Sequence, residues 1–337
     1  MQSPRKGITV AGSLVADIFH QIDTYPGEGL LTTVRGMSQS IGGSGNIIID
    51  LAKLDKELTV KVSSIVGDDK AGKGLLDVLN SYPNINTENV TVEGNSTCTL
   101  VMNAQDTMQR TFFFIPEASD RYDESYIDWD KIDSKIFQLE YLLLMKKVDA
   151  PDSVYGTHGA KILHDAKERG LITSIDIVSE KSSRAAAVIK AALKYTDICC
   201  INEFETELVT EIPLVVDGKL SEENVRLATE KMRELGVSKW VVIHSPAVGY
   251  GFNCATGEFV RVPSLKLPEG YIKGTTGAGD AYCSGILYGA HQDMSLFDSM
   301  RLARATAACS LSENNGTDGS RSYEESMLLE EKFGVLD

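Results

Sequence analysis

The chain has 337 residues, 42% of them hydrophobic and 24% charged, with a formal net charge of −15. That length and apolar content suit one large core or two ordinary ones and match a soluble globular protein. The negative charge argues against nucleic acid or an anionic membrane surface as a partner, and six cysteines over this length do not form a secreted disulfide framework.

Ile8–Ala11 reads as a first buried strand. Gly12 to Gly42 is β-rich and broken by Pro26-Gly27, Gly29 and Gly36. Ile47–Leu54 predicts a helix, Leu58–Val66 a strand and Lys70–Leu79 another helix. From Val90 to Ile115 the pattern is β throughout, with 97–102 and 110–115 as its clearest strands. Strands and helices then alternate: Leu142–Leu144 as strand before helix Val154–Arg169, Ile172–Ile177 before helix Ala185–Lys194, and Ile198–Ile201. Helix Glu222–Leu235 precedes strand Trp240–Ile243. Apolar strands separated by helices predict an α/β fold with a mainly parallel sheet covered on both faces. The expectation is a single domain over 1–337, with the two β-rich pieces, about 13–41 and 90–116, forming a small inserted sheet. No run approaches the roughly 20 apolar residues of a membrane span. The polar start Met1–Lys6 has no signal-peptide core, so the cytoplasm is the expected location.

The sharpest motif is Gly274-Thr275-Thr276-Gly277-Ala278-Gly279-Asp280, at the start of helix-forming sequence. The first amides of a helix have no internal partners, and the helix dipole adds positive potential there. A carboxylate inside such a cradle would repel a phosphate at rest. It makes sense if Asp280 takes a proton from a hydroxyl while the amides of Gly277, Ala278 and Gly279 hold charge on a transferring phosphoryl group. The alternative is a helix start after a flexible turn. Two other segments bear on the choice: Ile41-Gly42-Gly43-Ser44-Gly45-Asn46 opens a helix, and Asn202-Glu203-Phe204-Glu205 follows an apolar run. The latter is also a capping pattern in its own right. Gly67–Gly74 matches a P-loop except at its last position, where Gly74 stands for Ser or Thr, and it carries Asp68 and Asp69 where phosphates would sit. His20, His158, His164 and His291 show no metal-ligand spacing.

In this order and spacing the three segments resemble the ribokinase-like (phosphofructokinase-B-type) family of carbohydrate kinases, from Gly7 to about Gly319. The resemblance implies transfer of the γ-phosphoryl group of ATP to a hydroxyl of a sugar or sugar-like molecule, with Asp280 as general base. Asp17, Gly42, Gly43 and Asn46 would hold the acceptor, and Arg110 resembles an arginine that reaches phosphate or substrate, with a plain strand-edge arginine as the alternative. Asn202, Glu205, His244, Gly249, Thr276, Gly277, Gly279 and Asn314 would lie on the nucleotide side. Glu205 would organise Mg²⁺ through its water shell, since Mg²⁺ usually keeps several waters. The resemblance also implies that the small sheet is a lid over the sugar and pairs with a second subunit, giving a homodimer.

The sequence departs from the family pattern in two places. Gly274 replaces an aspartate associated with a monovalent-cation site, which argues against potassium activation. His244-Ser245-Pro246-Ala247-Val248-Gly249 keeps only Gly249 of the family's Thr-x-Gly-x-x-Gly, and Pro246 removes an amide. Two other readings stay open: a nucleoside kinase with Phe112–Phe114 as a shelf for the base, and a sugar-sensing protein that has lost catalysis.

Overall fold

The computed structural model describes residues 5–107, 109–216 and 218–336. Met1–Pro4, part of the polar segment Met1–Lys6, and Met108, within the stretch 90–116, lie outside the described residues. Nine strands form one sheet, in the order Phe259–Pro263, Val248–Asn253, Trp240–His244, Ile198–Asn202, Ile172–Ile177, Ile136–Leu142, Ile8–Gly12, Val60–Val66 and Ile85–Val92. The seven from Trp240–His244 to Ile85–Val92 run parallel, and the last two in sequence add an antiparallel hairpin at one edge. The central strands are apolar on both faces because helices cover both. Ile8, Val10, Phe137, Leu139, Ile175, Cys199, Ile201, Val241 and Val242 are all fully buried.

The sheet divides the core into two large clusters. One packs Ile162, Leu163, Val188, Ile189, Val225 and Met232 from helices His158–Glu168, Ala185–Leu193 and Glu222–Leu235. The other packs Ile47, Leu51, Leu75, Ile286, Leu287 and Met300 from helices Gly45–Leu54, Lys70–Asn80, Ala278–His291 and Leu296–Ser310. No helix is long and apolar enough to cross a membrane, among the described residues.

Three expectations need correction. The strand expected at Leu142–Leu144 is Ile136–Leu142. Its polar Gln138 and Glu140 are completely buried, which hid it from a hydrophobic pattern. The helix expected at Val154–Arg169 spans His158–Glu168, because Thr157 caps it by accepting from the Ala160 amide at 3.1 Å. The residues before it form a short hairpin, Pro151–Asp152 with Gly156–Thr157. Val90–Val92 belong to the large sheet, not the small one: strand Ile85–Val92 pairs with Val60–Val66 and only the chain after it leaves that edge.

The small sheet has four strands, in the order Val34–Gly43, Leu14–Ile22, Cys98–Ala104 and Arg110–Ile115. Its pairings are antiparallel except for the parallel contact of Leu14–Ile22 with Cys98–Ala104. Leu14–Ile22 begins two residues after the first strand of the large sheet ends, so the small sheet starts at the carboxyl end of the large one. The P-loop-like segment is filled by its own chain. Asp69 accepts from the amides of Gly72 (2.7 Å) and Ser96 (2.8 Å), and Ser96 Oγ accepts from the Gly67 amide.

Candidate active site

Parallel strands end together, so the residues at their carboxyl ends share one edge of the sheet. Here that edge carries Gly12, Glu140, Asp176, Asn202 and His244. Asp280 meets it from the start of helix Ala278–His291. Gly277, just before the helix, has φ +78°, and a Cβ there would lie 2.5 Å from Gly316 Cα, so no other residue fits without strain. The Ala278 amide bends back to the Thr275 carbonyl at 3.3 Å. Of the expected set Gly277, Ala278 and Gly279, only the Ala278 amide is thus engaged; among the described residues the Gly277 and Gly279 amides meet no acceptor.

Asp280 is 8% exposed and held from two sides. Asn46 Nδ2 donates to one carboxylate oxygen at 2.9 Å and the Tyr141 hydroxyl donates to the other. Burial raises its pKa, and the two hydrogen bonds oppose that rise. Asn46 does not cap its own helix; that position is Ser44, and the Asn46 amide is free to orient Asp280. Tyr141 was not anticipated from the sequence. Its only signal is its place directly after the buried polar pair Gln138 and Glu140.

Asp17 projects from the small sheet toward the same centre. Its neighbours across the strands are Ser40 and Thr99, and the Thr99 hydroxyl donates to it. Burial pushes its pKa up to about 6, the nearby Asp280 charge adding to the rise. A Cβ on Gly42 would lie 2.2 Å from Asp17 Oδ2, and one on Gly43, at φ +62°, would strike the Ser13 carbonyl at 2.4 Å. Gly42 therefore leaves room for this carboxylate, and Gly43 for the Ser13 backbone. Arg110, at the end of the outermost strand, reaches across to the helix loop, with Nη1 3.4 Å from both Thr276 Oγ1 and the Asn314 carbonyl.

Three carboxylates crowd this centre: Glu140, Asp176 and Asp280 have ligand oxygens within 4.8 Å of one another. Glu140 accepts from Gln138 Nε2 at 2.8 Å through one oxygen, while the other is buried without a partner. Burial and mutual repulsion hold the pKa values of Glu140 and Asp176 well above the carboxylate range.

A cavity of about 890 Å³ opens beside the helix start. Ser179, Phe204, Pro246, Leu265, Ile272 and Tyr282 form much of its wall, together with Asn202, His244, Ala278 and Gly279 from the predicted set. Asn202 and Glu205 form a true capping box: Asn202 Oδ1 accepts from the Glu205 amide (2.9 Å), and Glu205 accepts in return from the Asn202 amide (3.0 Å). Glu205 also accepts from Ser179 Oγ at 2.6 Å and is buried, which raises its pKa. His244 stacks on Tyr282, ring centres 5.1 Å apart, and burial lowers its pKa to about 4, so it is neutral at pH 7. Gly249 stands apart from the cavity wall; a Cβ there would meet the Tyr282 hydroxyl at 2.2 Å, so it makes room for that ring. Thr276 and Asn314 face Arg110 and are likewise outside the wall. The Gly274 position is tight: a Cβ would lie 3.0 Å from the Glu313 carbonyl.

The sequence matches the model of the pfkB family carbohydrate kinases over residues 6–322. No curated protein matches it. Solved structures share the fold at low identity. A ribokinase from Thermotoga maritima is 20% identical with a TM-score of 0.78, covering 97% of this chain and 99% of that one. Arabidopsis thaliana ribokinase, complexed with ribose and ATP, is 21% identical with a TM-score of 0.78 over 96% and 98%. The nucleoside kinase of Methanocaldococcus jannaschii is 15% identical with a TM-score of 0.74 over 97% and 100%. The chain belongs to the pfkB family of carbohydrate kinases and has the ribokinase fold.

Proposed function

We propose that this member of the pfkB carbohydrate kinase family transfers the γ-phosphoryl group of ATP to a hydroxyl of a sugar or sugar-like acceptor. The observation that carries the reading is Asp280: a buried carboxylate, oriented by Asn46 and Tyr141, at a helix start beside a cavity of about 890 Å³, with the small-sheet carboxylate Asp17 close enough to feel its charge. ATP occupies the 890 Å³ cavity with its base among the apolar wall residues. The acceptor lies between Asp17 and Asp280. Asp17 accepts from its hydroxyls, and Asp280 removes the proton of the one that attacks. The helix-start amides and Arg110 meet the transferring group, where charge stabilisation and positioning supply most of the catalysis. The site fits Mg²⁺: its donors are carboxylate oxygens, and Glu140 keeps a buried oxygen without a partner. Glu205, through water, would hold the ion, and Mg²⁺ would neutralise phosphate charge. No monovalent cation is assigned, because Gly274 offers no ligand side chain. The protein acts as a cytoplasmic homodimer paired through the small sheet.

The test is ATP consumption by the purified protein over a panel of free sugars, sugar phosphates and nucleosides, with D280N as control. The reading requires acceptor-dependent turnover that D280N abolishes. Turnover confined to nucleosides would move the acceptor class to nucleosides, with Phe112–Phe114 as the base shelf. Binding of sugar and ATP without turnover would make the chain a sensor and overturn the reading.

A further inference from the structure

A second cavity, of about 630 Å³, shares no lining residue with the first. Four cations line it, Lys146, Arg184, Lys190 and Lys194, against a single carboxylate, Asp149. Two of the cations are neutralised: Arg184 by Asp149 (3.1 Å) and Glu180 (2.9 Å), and Lys190 by Glu211 (2.7 Å). Among the described residues Lys146 and Lys194 have no carboxylate partner, although the chain carries 48 acidic residues against 33 Lys and Arg. Cations left unpaired in one concavity of so acidic a protein make a local positive field. Apart from Thr157, the rest of the lining is apolar, with Pro151, Val188, Ala191 and Leu235 on it. The volume falls in the range of small-molecule sites, which combine an apolar floor with a few charged groups.

We propose that this cavity is a second ligand site, for a small phosphate ester bearing a ring or short apolar group, and that its occupant acts on the nucleotide cavity through Arg184. A phosphate dianion matches the two unpaired lysines together with the arginine better than a monocarboxylate does. The apolar floor takes the ester's organic part, which inorganic phosphate lacks.

Arg184 is the link. It anchors the loop after strand Ile172–Ile177: Nη2 donates to the Leu143 carbonyl at 2.8 Å, and Glu180 receives Nε and Nη2. Ser179 and Lys181, flanking Glu180, line the larger cavity, and Ser179 also donates to Glu205. A phosphate that takes Arg184 from Glu180 unties this loop, and the nucleotide wall loses its tether. The coupling is therefore negative and reciprocal. This second part rests on reading the larger cavity as the nucleotide site.

The test is calorimetric titration of the whole protein at constant ionic strength with phenyl phosphate, inorganic phosphate and phenol, each with and without the non-hydrolysable analogue AMP-PNP. The site requires saturable phenyl phosphate binding that persists at saturating AMP-PNP and is at least tenfold tighter than that of inorganic phosphate or phenol. K146E/K194E should weaken it at least tenfold while AMP-PNP binding stays as in the wild type, and K146Q/K194Q should fall between. The coupling requires phenyl phosphate to weaken AMP-PNP binding threefold or more. Absence of saturable phenyl phosphate binding, or binding indifferent to both double variants, overturns the site. Binding without any change in AMP-PNP affinity overturns the coupling. Failure of AMP-PNP itself to bind would strike the nucleotide reading, and the titrations without it would still decide the second site.

Discussion

Asp280 can serve as a base because its neighbours fix it without neutralising it. Asn46 and Tyr141 are hydrogen-bond donors, not cations, so the carboxylate keeps its negative charge and its raised proton affinity. Replacing it by Asn keeps the shape and the contact with Tyr141 and removes the proton acceptor. D280N should lower turnover by about 10²–10⁴-fold with acceptor and ATP binding largely intact. Retention of more than about a tenth of wild-type turnover would show that another group is the base. Asp17 gives a second readout at this scale. Its pKa of about 6 means that it is ionised above that pH and protonated below it. The ionised form accepts hydrogen bonds from acceptor hydroxyls at both oxygens, and the protonated form gives up part of that capacity. Acceptor kcat/KM should therefore fall as the pH drops through about 6. A profile level from pH 8 down to pH 5 would remove Asp17 from acceptor binding.

The small sheet raises a question its own chain does not answer. Phe112, Phe113 and Phe114 are consecutive on strand Arg110–Ile115, so alternation sends them to both faces. All three remain open to solvent, at 59%, 44% and 40% exposure. Apolar rings on both faces of a four-stranded sheet call for two covers. The acceptor can cover one, and the same sheet of a second subunit, by a two-fold pairing, the other. Light scattering at micromolar concentration should report a dimer, and F113D should shift it toward monomer; a strict monomer would leave the sheet as a one-sided flap. The loop from Lys273 to Gly277 carries a different expectation. Gly274 offers no carboxylate, and a Cβ placed there would lie 3.0 Å from a backbone carbonyl, so the loop is tight at this position. Exchanging K⁺ for a bulky organic cation at constant ionic strength should change the rate less than twofold. Saturable K⁺ activation would mean that other groups supply the ligands.

At the scale of the molecule, buried acids set the pH dependence of stability. Asp50, Glu140 and Asp176 all have folded pKa values raised well above the ordinary carboxylate value, chiefly by burial. A carboxyl raised in this way binds its proton more tightly folded than unfolded. Its stabilising contribution is fully present below the unfolded value near 4 and is lost as pH rises through the folded value. His244, lowered to about 4, acts in the opposite sense, but only below its ordinary value of 6.5. Between pH 8 and pH 6.5 the acids act without that opposition, so Tm should rise on acidification across this window. A Tm that falls over the same window would show that these acids do not hold their protons more tightly in the folded protein than in the unfolded chain.

The sequence by itself determined the alternation of strands and helices, the small inserted sheet and the motif around Asp280. These are local signals: apolar periodicity, glycines where a Cβ cannot fit, and a helix start after a tight turn. The family resemblance suggested one site for Asp17, Asn46 and Asp280, but not their contacts, since Asn46 and Asp280 are 234 positions apart and meet only when helix Gly45–Leu54 lies beside helix Ala278–His291. Only the tertiary structure decided that Ile136–Leu142 is a central strand. Gln138 and Glu140 look like solvent-facing residues until the helices on both faces close over them. The same closure brought Tyr141 onto Asp280 and Glu140 and Asp176 within reach of it, none of which any spacing in the chain encodes. It also separated the two parts of the His244–Gly249 segment, leaving His244 on the cavity wall and Gly249 behind it. Burial and long-range proximity are properties of the packed chain, and the chemistry of this centre depends on both.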